Sequence, residues 1–207
     1  SVTRAMARTR AIELLGHVGI PRPERRVDDY PHQYSGGMLQ RAMIAMAIAL
    51  NPRILVADEP TTALDVTVQA QVLRLLRRLQ DEHGTAIIMI THDLGVVAEM
   101  AHDVLVMYAG RAMEQAPRRE LFRVPSHPYT QGLLRSRPRL DAIGGRLTAI
   151  PGQPPSLIAP PGGCPFNARC DRSIERCSTA SPARLAVAGD STEHRSACWL
   201  QQRGVTT

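Results

Sequence analysis

The chain has 207 residues, enough for one ordinary domain or two small ones, and 43% of them are hydrophobic. Aromatics are only 3%, so an aliphatic core is expected. The formal charge is +6, and every basic residue is an arginine, with no lysine anywhere. The arginines are scattered and no basic run carries interleaved aromatics, so a solvated surface is expected and nucleic acid is not expected as a partner. The longest apolar run, Ala42 to Leu50, is too short to cross a bilayer, and the N-terminus carries no signal-peptide core. The chain reads as soluble and cytosolic. It begins at Ser1, without methionine, in what reads as mid-helix, so a fragment is expected.

Residues 3–18 read as an amphipathic helix with Ala11, Ile12, Leu15 and Val18 on one stripe, ended by Pro21 and Pro23. After "YSGG" a second helix runs to about Leu50, with Met38, Ala42, Ala45 and Ala49 at helical spacing. "ILVADEP" follows as an apolar strand closed by two carboxylates and a proline. Asp65 suits the N-cap of a long helix, Val66 to about His83, with Val72, Leu75, Leu76 and Leu79 facing inward and Gly84 as its stop. "AIIMITHD" gives a second apolar strand, a short helix follows Asp93, and "DVLVMYAG" and "GRAMEQ" give two more strands. Apolar strands alternating with helices predict an α/β fold with a parallel sheet covered on both sides. Ligands of such sheets sit at the carboxyl ends of the strands, where Asp58, Glu59 and His92 lie. From about Arg118 arginine-rich turns are expected, then an extended proline-rich linker, Pro151 to Gly163, and a cysteine segment.

Ser35, Gly36 and Gly37 precede a helix, and that arrangement builds an anion site. Glycines admit a ligand close to the backbone, and the free N–H groups of the first turn point at it. A strand ending in Asp58-Glu59 suits magnesium-nucleotide chemistry: Asp58 holds the metal through water and Glu59 polarises an attacking water. The same pair also suits a strand that merely ends in a charged turn. His92 either contacts a γ-phosphate and orients the water or is simply hydrogen-bonded. Asp65 is either a ligand contact or only a helix cap.

The order of these features resembles the ATP-binding cassette ATPases over roughly residues 1–115. "YSGGM" resembles the family signature, "ILVADE" its Walker B motif, "TALD" its D-loop, and His92 its switch histidine. Within that family, "PHQYSGGMLQR", "ADEPTTALDVTVQAQ", "HPYTQGLL", "PGQPPSL" and "GCPFNARC" resemble the oligopeptide and dipeptide importer ATPases. The resemblance implies a partial P-loop NTPase core with its helical subdomain (1–115) and a small, loop-rich, cysteine-containing C-terminal domain (116–207). It implies ATP and Mg2+, a second ATPase subunit, two membrane permease subunits and an external peptide-binding protein. The chain would then sit at the cytoplasmic face of the membrane, as a peripheral subunit driving peptide uptake. In this family each signature closes on ATP held by the partner, so Ser35, Gly36 and Gly37 would face the partner's nucleotide. A phosphate-cradling G-x-x-x-x-G-K-[ST] loop needs a lysine, which this chain lacks, so the isolated chain is expected to be inactive. The rivals are a truncated, non-hydrolysing metal-binding remnant and a cassette ATPase of DNA repair.

Cys164, Cys170, Cys177 and Cys198 are spaced C-x5-C-x6-C-x20-C. A cytosolic compartment argues against disulfides, and zinc ribbons favour closer pairs. Four thiolates on a proline- and glycine-rich scaffold suit a [4Fe–4S] cluster, with Zn2+, disulfides or free thiols as the alternatives. The resemblance to the C-terminal segment of some peptide-importer ATPases implies the cluster as well.

Overall fold

The computed structural model describes residues 2–136, 149–187 and 193–202. The polypeptide divides into two compact units, residues 1–96 and 97–207.

The first unit opens with α1 (Arg4–His17), whose N-cap Thr3 accepts the Met6 amide, and a short α2 (Pro23–Arg26). Ala11, Ile12 and Leu15 on the α1 stripe are half-buried, while Val18 and Ile20 just past its end are buried. The chain continues through α3 (Gly36–Ile48), strand β1 (Ile54–Asp58), α4 (Val66–His83) and strand β2 (Ala86–Ile90). α4 carries out its sequence pattern: Val72, Leu75, Leu76 and Leu79 are all buried, Asp65 caps its start and Gly84 ends it in the left-handed region. These side chains form an aliphatic core with Ile44, Ala45, Ile48 and Leu55. Arg41 ties the helices together, donating to the Val18 carbonyl and to Gln71 Oε1, each at 2.8 Å.

β1 and β2 pair in parallel, from Ile54↔Ala86 to Asp58↔Ile90, joined through α4. The sheet is not covered on both sides. Leu55 is buried and Ile87 half-buried on one face, but Ile54, Val56, Ile88 and Ile90 on the other are 50–60% exposed. The connecting helix covers one face only, and no described element of this unit packs on the other.

A short α5 (Leu94–Met100) leads into the second unit. Its strands do not extend the parallel sheet as expected. β3 (Asp103–Tyr108) and β4 (Arg111–Pro117) form an antiparallel hairpin. The two-residue connection Ala109-Gly110 has φ of +48° and +74°, the positive values that fit a tight hairpin to strand twist. The hairpin belongs to a four-stranded sheet ordered β3-β4-β6-β5, with β5 at Leu185–Ala186 and β6 at Arg195–Ser196. The expected arginine-rich turns after Arg118 include two helices, α6 (Arg118–Arg123) and α7 (Pro128–Arg135), and a one-turn α8 (Arg176–Thr179) follows later. Residues 151–163 contain no helix or strand, as the linker composition predicts.

The core of this unit is not aliphatic. Tyr108, Met113, Phe166 and Trp199 are buried with Cys164 and Cys177, and Tyr129 packs against them. The Tyr108 and Tyr129 rings are 4.6 Å apart, and Phe166 meets Tyr108 edge-on at 5.4 Å. Few aromatics suffice because most of them converge here, each burying a large area. Arg169 fastens the start of the linker to this core, bonding to the carbonyls of Ile150 and Pro151 and to the Tyr108 hydroxyl.

Candidate functional site

The signature segment is a helix start. Ser35 is extended (φ −70°, ψ 162°) and its Oγ accepts the Met38 amide at 3.4 Å, leaving Gly36 and Gly37 as the first turn of α3. The two glycines differ in their surroundings. A Cβ on Gly37 would stand 2.6 Å from Val68 Cγ1, so this residue lets α3 approach the first turn of α4. A Cβ on Gly36 would meet only Leu64 Cδ2 at 3.9 Å, and Gly36 itself is exposed. Gly37 therefore serves packing, and the backbone open to a ligand is that of Ser35 and Gly36. Asp65 is also structural, since its carboxylate accepts the Val68 amide at 2.9 Å as the N-cap of α4.

Asp58 is the last residue of β1, level with Ile90 at the end of β2, and it is exposed. Glu59 follows with φ +47°, a left-handed conformation that is costly for a residue with a side chain. Its amide still bonds to the Ile90 carbonyl at 2.9 Å, so the reversal happens while the end of the sheet holds the chain. Its carboxylate is then gripped from two sides. Thr62 Oγ1 donates to Oε2 at 2.6 Å, and His92 Nδ1 lies 2.7 Å from Oε1. Those contacts, Thr62 first and His92 second, hold the Glu59 carboxyl below the usual carboxylate range, while Glu59 raises the His92 imidazole. His92 is 83% exposed at its side chain, so the pair faces solvent and is not a buried structural bridge. Next to it, Asp93 Oδ1 accepts the Gly95 and Val96 amides and Oδ2 accepts from Gln69, which fixes the loop carrying His92.

Sequence reasoning places Glu59 and His92 at adjacent strand ends, and the structure brings them into contact. It misses Thr62, whose position three residues after Glu59 in "DEPTT" is the available signal. Among the described residues no hydrogen bond or ion pair joins Ser35, Gly36 or Gly37 to this pair. The arrangement is a carboxylate of lowered pKa, oriented by a hydroxyl and an imidazole, at the carboxyl edge of a parallel pair. It can accept a proton from a water placed against it.

Comparison with known proteins decides the family. Residues 2–62 match the family model described as ABC transporter, and residues 113–177 match the one described as oligopeptide/dipeptide transporter, C-terminal region. The dipeptide transport ATP-binding protein DppD of Bacillus subtilis (strain 168) is 50% identical over 202 residues, covering 98% of this chain and 59% of that protein. The chain belongs to the ATP-binding cassette family. The oligopeptide transport ATP-binding protein OppD of Salmonella typhimurium is 53% identical over 181 residues, covering 87% of this chain and 54% of that protein. The chain thus spans little more than half the length of these curated relatives. Among solved structures, the dimeric post-hydrolysis state of the cassette MJ0796, bound to ADP and Pi, aligns with a TM-score of 0.51 at 33% identity. That alignment covers 57% of this chain and 50% of that one. A cassette CbiO1 from Clostridium perfringens aligns with the same TM-score at 32% identity, covering 59% of this chain and 47% of that one. No helix among the described residues is long and apolar enough to cross a membrane.

The second unit adds two clusters to this cassette segment. All four cysteines line one cavity, together with Phe166, Arg172 and Trp199. None is in a disulfide, and Cys164, Cys177 and Cys198 are buried. Burial pushes the Cys164 thiol up to about 11, and raises Cys170 and Cys198 as well. No three of the four sulfurs lie within 4.8 Å of one another. The other cluster has no mark in the sequence. Glu114 is fully buried and accepts the amides of Ser126 and His127 at 2.6 and 2.9 Å, while His194 Nε2 lies 2.7 Å from its Oε1. His127 in turn caps α7, its Nδ1 accepting the Tyr129 amide at 3.0 Å, and burial lowers its pKa to about 4.

Proposed function

We propose that this chain forms the signature and Walker B part of an ATP-hydrolysing subunit that drives peptide uptake across the cytoplasmic membrane. The observation that carries the reading is the Glu59–His92 contact at the end of a parallel strand pair, with Thr62 on the other carboxylate oxygen. Glu59 acts as the general base toward water, and His92 holds it in position. Asp58, exposed at the adjoining strand end, suits a magnesium ion held through water, and the ion would supply charge neutralisation at the phosphates. Ser35 and Gly36 offer a helix N-terminus to phosphate, and Gly37 allows that terminus to sit against α4 beside the Asp65 cap.

This chain has no lysine and so no phosphate-cradling lysine loop. By the family's pattern, in which each signature closes on ATP held by the partner, Ser35 and Gly36 face ATP bound to a second cassette subunit, and that subunit's signature faces the ATP served by Glu59. The names of the relatives, dipeptide and oligopeptide transport proteins, support peptides as cargo. Two permease subunits and an external peptide-binding protein complete the importer, with this subunit peripheral on the cytoplasmic face. Residues 1–115 would be the partial ATPase domain and 116–207 the C-terminal domain.

The four cysteines fit a [4Fe–4S] cluster better than a single zinc ion. They surround one cavity, but tetrahedral zinc needs sulfurs about 3.8 Å apart, from bonds of about 2.3 Å, and no three of these are that compact. Bound there, the cluster would supply cross-links among Cys164, Cys170, Cys177 and Cys198 in a unit with few regular elements.

Peptide uptake by membrane vesicles carrying the complete importer, with Ser35→Arg in this subunit, tests the reading. A bulky side chain at the helix start should abolish ATP-dependent uptake and leave assembly intact. Full uptake by that variant would remove the signature from the mechanism.

A further inference from the structure

The last turns of α1 and α4 bring His17, Glu82 and His83 together on the surface of the first unit. One ligand atom from each lies within 4.8 Å of the other two. His17 Nε2 is 3.2 Å from Glu82 Oε2, and the two imidazole rings are 5.8 Å apart. In a tetrahedral site with bonds of about 2.0–2.1 Å, neighbouring ligand atoms stand about 3.3 Å apart. One pair already has that spacing, and the third side chain, His83, is exposed with a ligand atom within 4.8 Å of both.

We propose that His17, Glu82 and His83 form a binding site for a divalent cation of the zinc type, separate from the nucleotide and cysteine sites. Two imidazoles and one carboxylate suit zinc, nickel or copper, whereas magnesium and calcium call for oxygen donors throughout. Both histidines lie at helix C-termini, where the negative end of the helix dipole favours a cation. Two cations oppose it: Arg10, which lines the hollow beside the imidazoles and is paired with Glu13 at 3.3 Å, and Arg78. Arg78 stands 3.9 Å from Glu82 Oε1 and donates to the His17 carbonyl, which leaves Oε2 on the imidazole side. Three protein donors leave a coordination position for water, and a hollow lined by Glu13, Leu14, Ile48 and Asn51 opens beside both imidazoles. The ligands are 65 residues apart in sequence, so an ion here clamps the end of α1 to the end of α4.

Untagged chain titrated with Zn2+ in competition with a chromophoric chelator tests the site. A parallel Co2+ titration separates it from the cysteines, because thiolate ligation gives near-ultraviolet charge transfer that imidazole and carboxylate do not. The expected result is one equivalent of cobalt bound without thiolate absorption. Its affinity should fall at least about tenfold in both His17→Gln and His83→Gln, and should not change in His32→Gln. Equal stoichiometry and affinity in wild type and both His variants would overturn the proposal, as would binding accompanied only by thiolate absorption.

Discussion

Replacing Glu114 by alanine tests whether the second unit is organised around a buried hydrogen-bond network. The substitution removes the acceptor of the Ser126 and His127 amides and the partner of His194, in a place with no solvent exposure. Each buried amide left unpaired costs about 1–3 kcal/mol. The two amides together put the loss at about 2–6 kcal/mol, a large part of the roughly 5–15 kcal/mol that holds a domain together. Trp199 is the chain's one tryptophan and is buried in this unit, so its fluorescence during guanidinium denaturation reports the unit directly. A loss below about 1 kcal/mol, the worth of one ordinary hydrogen bond, would refute the network's role.

The His127 imidazole gives a pH dependence of definite sign. Its folded pKa is depressed to about 4 by burial, so between that value and the ordinary imidazole range the unfolded chain binds more protons. Stability of this unit should therefore fall by on the order of 3 kcal/mol as pH drops from about 6.5 to 4, and His127→Gln should flatten that slope. Denaturation curves at a series of pH values measure it, and a slope unchanged by the variant would exclude His127 as the cause. For the cysteine cavity, anaerobically purified full-length subunit should be brown and each Cys→Ser change should weaken the colour. Colourless protein with one zinc per chain would replace the cluster by zinc on the same ligands.

Local features are legible because neighbouring residues decide them. The spacing of Val72, Leu75, Leu76 and Leu79 sets the inward face of α4, and Asp65 and Gly84 mark its ends through their own backbone preferences. Strand pairing is less legible, since an apolar run reads alike in parallel and antiparallel sheets. The Ala109-Gly110 turn holds the missing signal, a two-residue connection with a glycine. The aliphatic-core expectation fails because composition averages over two units, and Tyr108, Tyr129, Phe166 and Trp199 converge in one. The Glu114–His194 contact joins residues 80 apart, and nothing local marks a carboxylate that will be buried. The left-handed backbone at Glu59 is hidden for a similar reason, since the end of the sheet and Thr62 impose it.

The proposed hydrolysis rests on Glu59 as the base that activates water. In the complete full-length subunit assembled with its partner, Glu59→Gln should keep ATP binding while steady-state turnover falls at least ~10²-fold, the scale of a lost general base. Glutamine preserves the shape and the contact with Thr62 but cannot take the proton. Normal turnover by that variant, with nucleotide bound as in wild type, would show that another group takes the proton from water.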